Sequence, residues 1–482
     1  MKLQGGYLPK IPGRPSAAIQ DSAVPDRLVF PLSQGGLVYT SAVADGEKVE
    51  FGAPLAWAET GGGRLALPAP VAGVVSLLAG RAKSVSRILL KVGDAAVKAT
   101  CKRYKPAKIN AATIRQELAA AGVWPLIRSA KTGKMPALDG SEVPARLIVN
   151  FVSTEPYRTD GKCLLSSDPD RILTGLQFLP SLLSAPNGRI HVVVENAADP
   201  VISPLVSAIQ GDTRFQLDTL PARYPAEHPR VLARALRRQD RTLTPSDAIW
   251  TLDAQAVLAI GACLADGIPL HERVVAIGGP GVANPCHRRV RIGTTLGSLL
   301  PPVVFADSTL LLRGGLFTGI PAASDGAVEA QDDGFFALPK SREREFLGFV
   351  VPGFDRVSAL PCFGSALTGE ADRHLTATLR GERRPCVACG LCEKVCPVGL
   401  LPQILHRYLY RDAIDQAQAA GVDLCIGCGL CSYVCPSKIE LRQQFAEAGE
   451  RLREEREHTE AARRDHEAQQ ARNNRETGKA SQ

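Results

Sequence analysis

The spacing of apolar residues changes several times along the chain. Between residues 27 and 93, short apolar runs alternate with turns that contain glycine and proline, a pattern typical of antiparallel β-strands. The first 29 residues are rich in the same two residue types and predict an extended segment that lies on other domains. The predicted strands are residues 28–31, 49–51, 53–56, 65–67, 73–77 and 88–92.

The central part of the chain alternates helical and strand-like patterns. After a helix over residues 111–121, buried strands are predicted at 146–152 and 189–195, with an amphipathic helix at 169–184 between them. Strand, helix and strand in this order predict a parallel sheet with right-handed crossovers. Further elements of this part are predicted as helices at 229–239 and 253–265 and a strand at 273–277.

A glycine-rich turn at residues 278–281 follows the last of these strands. It lacks both the G-x-G-x-x-G spacing and the lysine of phosphate-binding loops, so a sharp turn is favoured over a nucleotide site. Residues 287–361 then alternate short strands with turns and predict a small α+β or β-grasp unit. Its predicted strands include residues 303–305, 309–312 and 345–350.

Charge and composition narrow the possible partners. The chain has 57 basic and 49 acidic residues, a net charge of +8, and only 5% aromatic residues. This balance suits anionic lipid headgroups or an acidic electron carrier. We expect no nucleic-acid partner, because the basic residues are not interleaved with aromatics and no recognition motif is found. Proline, glycine and aspartate interrupt the apolar runs at 65–78 and 299–312, so neither is expected to cross a membrane.

Eight of the 13 cysteines form two copies of the pattern Cys-x2-Cys-x2-Cys-x3-Cys-Pro. In such a run the first three thiolates hold one iron–sulfur cluster, and the fourth reaches the cluster of the other run. We therefore predict two [4Fe–4S] clusters. The predicted ligands are Cys386, Cys389, Cys392 and Cys435 for cluster one, and Cys425, Cys428, Cys431 and Cys396 for cluster two.

Two other uses of these cysteines fit the sequence less well. Zinc sites take four ligands in two close pairs and do not need a repeated fourth Cys followed by Pro. Disulfides are not expected because the sequence starts without a secretory signal, which also favours the cytoplasm. The five other cysteines are interpreted as small buried apolar residues: Cys101, Cys163, Cys263, Cys286 and Cys362.

Glu155 is a candidate site residue in the predicted parallel sheet. It follows the strand at 146–152, and ligands of such sheets lie at the carboxyl ends of the strands. The alternative, which stays open, is that Glu155 caps a helix or forms a salt bridge. Residues 400–420 predict a helical link between the cysteine runs, and residues 440–482 predict a solvated helix that frays into disorder.

Several segments resemble known families. Asp45–Val49 and Leu67–Val75 resemble the flattened β-barrel of biotinyl and lipoyl carrier domains, although no carrier lysine stands at a hairpin tip. The order of parts resembles RnfC, a subunit of the Rnf electron-transfer complexes. Several short sequence segments are similar to NqrA, a subunit of the Na⁺-translocating NADH:quinone reductase (Nqr). They are Gly122-Val123-Trp124, Ile148-Val149-Asn150, Glu272 to Ala276, Gly279-Pro280 and Arg344 to Gly348.

The two resemblances imply different chemistry. RnfC would oxidise NADH at an FMN held by the α/β domain, whereas NqrA lacks clusters. The Rnf flavin loop carries Gly-Gly-x-x-Phe-Pro, but residues 122–137 keep none of it, and Trp124, Leu126 and Ile127 would fill that space. Near the same predicted site, only the segment Glu155-Pro156-Tyr157 matches an Rnf-like sequence. FMN on this chain is therefore an alternative and not our main expectation.

Together these patterns predict a multidomain α/β and α+β protein. We expect a peripheral iron–sulfur subunit at the cytoplasmic face of the inner membrane, which relays electrons from an NADH-oxidising subunit or ferredoxin to membrane subunits. The alternatives are an NADH-oxidising FMN flavoprotein and a protein similar to cobalamin reductases. The predicted domains are an extended segment (1–29), a carrier-like β-barrel sandwich (30–97), a Rossmann-like α/β domain (98–286), a β-grasp-like unit (287–375), a two-cluster ferredoxin domain (376–445) and a charged tail (446–482).

Overall fold

The computed structural model describes most of the chain, and the side chains of its last helix as far as residue 463. Two compact units are present: Met1–Leu3 with Tyr7–Arg380, and Gln4–Gly6 with Gly381–Gln482. Three features from the sequence analysis lie outside the described residues: the predicted strand at 345–350, the NqrA-like segment Arg344 to Gly348, and Cys362. Described are residues 1–9, 11–80, 85–183, 188–341, 354, 364, 375–377 and 383–479.

The described residues of the N-terminal part of the first unit form ten strands and the turns between them. Each of the six strands predicted between residues 28 and 92 overlaps an observed one. Two antiparallel sheets have the orders β2-β10-β9-β6 and β5-β7-β8, and β3 and β4 form a separate pair. The strands are β1 (Ile19–Asp21), β2 (Arg27–Pro31), β3 (Ser33–Gln34), β4 (Leu37–Val38), β5 (Thr40–Ser41), β6 (Lys48–Val49), β7 (Pro54–Thr60), β8 (Gly63–Pro68), β9 (Ala72–Ala79) and β10 (Val85–Asp94).

A five-stranded sheet with the order β11-β15-β12-β13-β14 follows. All its strands except the edge strand β11 run parallel, which confirms the predicted parallel sheet. Its central strands are almost fully buried, as expected when helices cover both faces. The elements are α1 (Ala111–Ala120), β11 (Arg128–Ser129), β12 (Arg146–Asn150), α2 (Gly161–Ser167), α3 (Pro169–Phe178), β13 (Arg189–Val194), α4 (Ser203–Ile209), β14 (Phe215–Thr219), α5 (Pro229–Gln239), β15 (Ile249–Asp253) and α6 (Ala254–Gly261), which continues as a π-helical turn (Ala262–Asp266).

A six-stranded mixed sheet completes the first unit, in the order β1-β17-β16-β20-β18-β19. Strand β16 belongs to this sheet and β17 begins at Cys286, so the sheet includes strands on both sides of the boundary that we predicted after residue 286. The predicted strand at 303–305 is wrong, since Pro302 starts a 3₁₀ helix there, Pro302–Phe305. The elements are β16 (Glu272–Gly278), β17 (Cys286–Arg291), α7 (Leu296–Leu299), β18 (Thr309–Arg313), β19 (Ile320–Pro321) and β20 (Gly334–Pro339).

The described helices of the second unit are short except for the last. The link predicted as helical at 400–420 is divided in two, and Asp412 has a left-handed φ of 54° at the break. The last helix, predicted to be solvated and to fray, is buried along its first turns at Leu441, Phe445, Ala448 and Leu452. The helices are α8 (Leu391–Val395), α9 (Pro402–Tyr410), α10 (Ile414–Ala419), α11 (Leu430–Tyr433) and α12 (Leu441–Lys479).

Within the described residues, no helix combines the length and the apolar character that a membrane span requires.

Candidate iron–sulfur centres

The backbone of the first cysteine run is repeated in the second. In both runs the residue before the second cysteine, the residue after it and the third residue after the fourth cysteine have positive φ. Glycine adopts this conformation without steric cost, whereas other residues do so at some cost in free energy. The equivalent pairs are Ala388 (53°) with Gly427 (66°), Gly390 (72°) with Gly429 (78°), and Gly399 (72°) with Lys438 (56°).

In each run a short helix begins directly after the glycine that follows the second cysteine. Gly390 precedes α8 and Gly429 precedes α11, so that the third cysteines, Cys392 and Cys431, lie on the first turn of a helix. The two helices pack against each other. These contacts place the third thiols of the two runs on neighbouring helices, and the binding of one cluster by the first three thiols of each run stays a prediction.

The four cysteines predicted for cluster one line a single pocket. This pocket is partly open to solvent, and Gln403 and His406 of α9 also border it. Burial raises the pKa of Cys392, and the neighbouring thiols Cys389 and Cys435 raise it further. The fourth predicted ligand thus lies beside the run that it is expected to complete.

Hydrogen bonds explain how Cys435 reaches the first run. The Ser437 hydroxyl donates to the carbonyl oxygen of Pro385 at 2.8 Å, and the Arg384 amide donates to the carbonyl oxygen of Ser437 at 3.0 Å. These two bonds join the end of the second run to the start of the first. The arrangement fits a cluster that takes three thiolates from one run and a fourth from the other.

The cysteines predicted for cluster two are less completely brought together by the described contacts. Burial raises the pKa of Cys431, and the nearby thiols Cys428 and Cys425 raise it further. The fourth predicted ligand, Cys396, is 8% exposed, and its Sγ accepts the Leu400 amide at 3.2 Å. Its membership of this group stays a prediction.

Backbone amides donate hydrogen bonds to two of the cysteine sulfurs. Gly427 donates its amide to Cys425 Sγ at 3.4 Å, which parallels the Leu400 bond to Cys396. Bonds of this kind offset the negative charge of thiolates and tune a bound cluster's reduction potential. The backbone at Gly5 (φ 60°) also lies close to one of these cysteines. A Cβ at this position would lie 2.6 Å from the carbonyl oxygen of Cys396, so a glycine is favoured there.

These thiols are not arranged for a single ion. Among the described residues, no three His, Cys, Asp or Glu side chains converge closely enough to bind one metal ion. A cubane holds its four cysteines at separate corners, so its ligands need not meet at one point. All 12 cysteines that the structure describes are free of disulfides.

Glu155 lies at the predicted end of the parallel sheet, but its carboxylate is engaged with a loop. It is 3% exposed, and Oε1 accepts the amides of Phe317 at 2.6 Å and Thr318 at 3.1 Å. A Cβ at Gly315 would overlap the Glu155 side chain, so the loop requires a glycine there. The residue neither caps a helix nor lines a described pocket; it ties the parallel sheet to the mixed sheet.

A second carboxylate that the sequence did not reveal lies beside Glu155. Glu227 Oε1 accepts the Glu155 amide at 2.6 Å, and its other oxygen bonds the Thr154 hydroxyl. Burial, followed by the charge of Glu227, raises the pKa of Glu155 to about 7. The two residues are 72 positions apart in sequence, and no local pattern connects them.

The segment that replaces the Rnf flavin loop is part of the core. Trp124 and Ile127 are fully buried, and Leu126 is nearly so. The Trp124 ring meets Trp250 edge to face at 5.6 Å, and its Nε1 donates to the carbonyl oxygen of Pro136 at 2.8 Å. These side chains pack in the core, and whether they exclude a flavin stays a prediction.

Comparison with known proteins identifies two parts of the chain. Residues 109–268 match the family described as the NqrA second alpha/beta domain, and residues 382–439 match the 4Fe-4S dicluster domain. The NqrA subunit of the Na(+)-translocating NADH-quinone reductase of Teredinibacter turnerae is 30% identical over 431 residues, which cover 87% of this chain and 92% of the relative. The chain belongs to the NqrA family.

Other similarities agree with this membership or are too remote to add to it. NqrA of Actinobacillus pleuropneumoniae serotype 5b is 30% identical over 73% of this chain and 76% of its own length. An air-oxidised NAD⁺-reducing [NiFe]-hydrogenase shares 14% identity over 72% of this chain and 68% of its own, with a TM-score of 0.36. That value is too low to support an argument. The predicted combination of an NqrA-like body with an iron–sulfur domain is confirmed.

Proposed function

We propose that this chain relays electrons through two [4Fe–4S] clusters as a peripheral subunit of a membrane-bound oxidoreductase of the Nqr and Rnf kind. The main support for this proposal is that one chain contains both an NqrA-like body and a dicluster domain. The pocket lined by Cys386, Cys389, Cys392 and Cys435 supports the proposed ligand set of the first cluster.

The chain's own groups have three tasks in this proposal. The eight thiolates hold the clusters, which when bound supply one-electron transfer. The Leu400 and Gly427 amides donate to thiolate sulfurs and stabilise their negative charge. Helix α12 covers the unit through Leu441 and Phe445, which lowers the access of water.

The partners follow from the relatives and from charge. The relatives are named as subunits of a Na⁺-translocating NADH-quinone reductase, so we propose membrane subunits as electron acceptors. An NADH-oxidising subunit or a ferredoxin is the proposed donor. A net charge of +8 favours attachment to the anionic cytoplasmic face of the inner membrane.

The first test is the composition of anaerobically purified protein. We expect about eight irons and eight labile sulfides per chain, as two [4Fe–4S] clusters require, and no flavin. Added NADH should leave the cluster absorbance unchanged unless a donor subunit is present. Zinc in place of iron would end the proposal, while stoichiometric FMN with bleaching by NADH would favour the Rnf-like flavoprotein. Failure to copurify with membrane proteins would favour the cobalamin-reductase-like alternative.

The second test concerns which thiolates share a cluster. If the fourth cysteines are exchanged between the runs, Cys435→Ser should alter the same electron paramagnetic resonance signal as Cys386→Ser. Cys396→Ser should alter the other signal, together with Cys425→Ser. Cys163→Ser, in the other unit, is the matched control and should change neither. A Cys435→Ser spectrum that matches Cys425→Ser would refute the exchange.

A further inference from the structure

Two cysteines outside the iron–sulfur domain are held together by the backbone. Cys101 lies in the connector between β10 and α1, and Cys263 lies on the π-helical turn after α6. The amides of Thr100 and Cys101 both donate to the carbonyl oxygen of Gly267, at 2.9 and 2.8 Å, and Gly267 donates its amide to the carbonyl oxygen of Cys263 at 3.2 Å. The two segments are therefore fixed against each other at the cysteines.

A further bond fixes the connector on the other side of Cys101. The Tyr104 amide donates to the carbonyl oxygen of Leu264 at 2.7 Å. Gly267 has a left-handed φ of 75°, and a Cβ there would lie 2.6 Å from the carbonyl oxygen of Cys101. The approach of the two segments thus depends on a glycine.

The thiols differ in access and in acidity. Cys101 is partly exposed, whereas Cys263 is fully buried. The interaction between the two thiols lowers the pKa of Cys101 and, together with burial, raises that of Cys263. An accessible, acidic thiol beside a buried one is the arrangement of an attacking and a resolving cysteine.

The π-helical turn supports a role beyond packing. Such turns are rare and occur often at functional sites, because the extra residue moves side chains out of the regular helical positions. Here the turn spans Ala262–Asp266 and carries Cys263. Cys163 shows the contrasting case of an ordinary buried thiol, whose pKa burial raises to about 11.

We propose that Cys101 and Cys263 are a redox-active dithiol that closes reversibly into an intramolecular disulfide. The Cys101 thiolate attacks a low-molecular-weight disulfide, forms a mixed disulfide and releases one small thiolate. Cys263 loses its proton and attacks the Cys101 sulfur, which releases the second small thiolate. Two electrons pass from the protein thiols to the small disulfide, which becomes two thiols.

The bond would connect two parts of the first unit. It would tie the connector that follows the N-terminal strands to the end of α6, and so close a loop over most of the Nqr-like α/β domain, residues 109–268. Reversible disulfides in reducing compartments are characteristically transient and regulatory. The site would make this unit responsive to oxidants independently of the cysteines of the second unit.

The test is a redox titration of the full-length protein under anaerobic conditions. The protein is equilibrated in glutathione buffers of increasing oxidation, free thiols are alkylated, and peptides are identified by mass spectrometry. We expect one Cys101–Cys263 linked peptide to appear as the buffer becomes oxidising and to vanish on reduction. Cys163 and Cys286 should stay alkylated throughout. Absence of the linked peptide, or linkage of Cys101 to another cysteine, would overturn the proposal.

Variants separate the two roles. Cys263→Ser should leave Cys101 as a stable mixed disulfide with glutathione, whereas Cys101→Ser should leave Cys263 reduced. Cys263→Ser keeps a hydrogen-bond donor and Cys263→Ala removes it, so the pH midpoint for Cys101 alkylation should rise in the alanine variant alone. Equal midpoints in both variants would contradict the assigned resolving partner. Circular dichroism checks that each variant is folded.

Discussion

Replacing Glu155 with glutamine should stabilise the first unit above neutral pH. The carboxylate is buried beside Glu227, so its negative charge is costly. Two groups offset only part of this desolvation and repulsion cost: Arg158, which is paired with Asp333, and the amides of the loop after β18. Glutamine keeps an oxygen that can accept the Phe317 and Thr318 amides, and it carries no charge. The substitution therefore removes the desolvation cost of the charge and keeps the tie between the sheets.

The size of the effect follows from the raised pKa. A change from the ordinary 4.5 to about 7 corresponds to roughly 3 kcal/mol, at about 1.4 kcal/mol per pH unit. Because the folded state holds its proton more tightly, this contribution is fully present below pH 4.5 and is lost as pH rises through about 7. The wild-type protein should thus lose stability over this window, and Glu155→Gln should lose much less.

Tryptophan fluorescence is a suitable assay because Trp124 and Trp250 are fully buried in the parallel-sheet region. The melting temperature of this signal should be measured between pH 5 and pH 8, with Glu59→Gln as a control at an exposed carboxylate. At about 2 cal/mol/K of unfolding entropy per residue, a unit that extends to Arg380 shifts by about 1 °C per kcal/mol, so the variant should melt roughly 4 °C above wild type at pH 8. A variant that melts below wild type at pH 8, or that keeps the full pH dependence, would refute this assignment of a buried charge.

Three other predictions test the described geometry. Gly315→Ala should displace the buried carboxylate and destabilise the first unit by roughly 2 kcal/mol or more, whereas Gly61→Ala, with open space around it, should be nearly neutral in the same melting experiment. Ala388→Gly should stabilise the second unit and Gly427→Ala should destabilise it, each by about 1 kcal/mol. The measurement is the guanidinium concentration at which half of the cluster absorbance is lost. The two variants should shift this midpoint in opposite directions, and shifts of equal sign would contradict the prediction. Phe445→Ala should cost about 3–5 kcal/mol and loosen α12, and unchanged limited proteolysis of that helix would contradict its anchoring role.

Local sequence patterns predicted the elements that depend on neighbouring residues. The helix Pro229–Gln239 has the predicted bounds, because Pro229 starts it and the apolar positions recur with helical spacing. The run Val303-Val304-Phe305 was misassigned since its β-branched residues favour a strand, while Pro301 and Pro302 set backbone angles that start a 3₁₀ turn.

Interactions distant in sequence were not accessible in this way. β16 follows a helix and therefore resembled the next strand of the parallel sheet, but its observed partners are β17 and β20. Glu155 was placed correctly at the end of its strand, yet the amides that bind it are 162 and 163 residues away. The buried stripe from Leu441 to Leu452 was present in the sequence, but the abundance of Glu and Arg in that segment concealed it.

The repeated backbone of the two cysteine runs bears on the direction of electron flow. Loops that copy each other would give both clusters nearly the same immediate surroundings. A difference in potential between them must then come from residues where the copies diverge, such as Lys438 opposite Gly399, and from neighbours such as His406. Exchanging the residues at 399 and 438 would then be the way to weaken a difference in potential between two bound clusters.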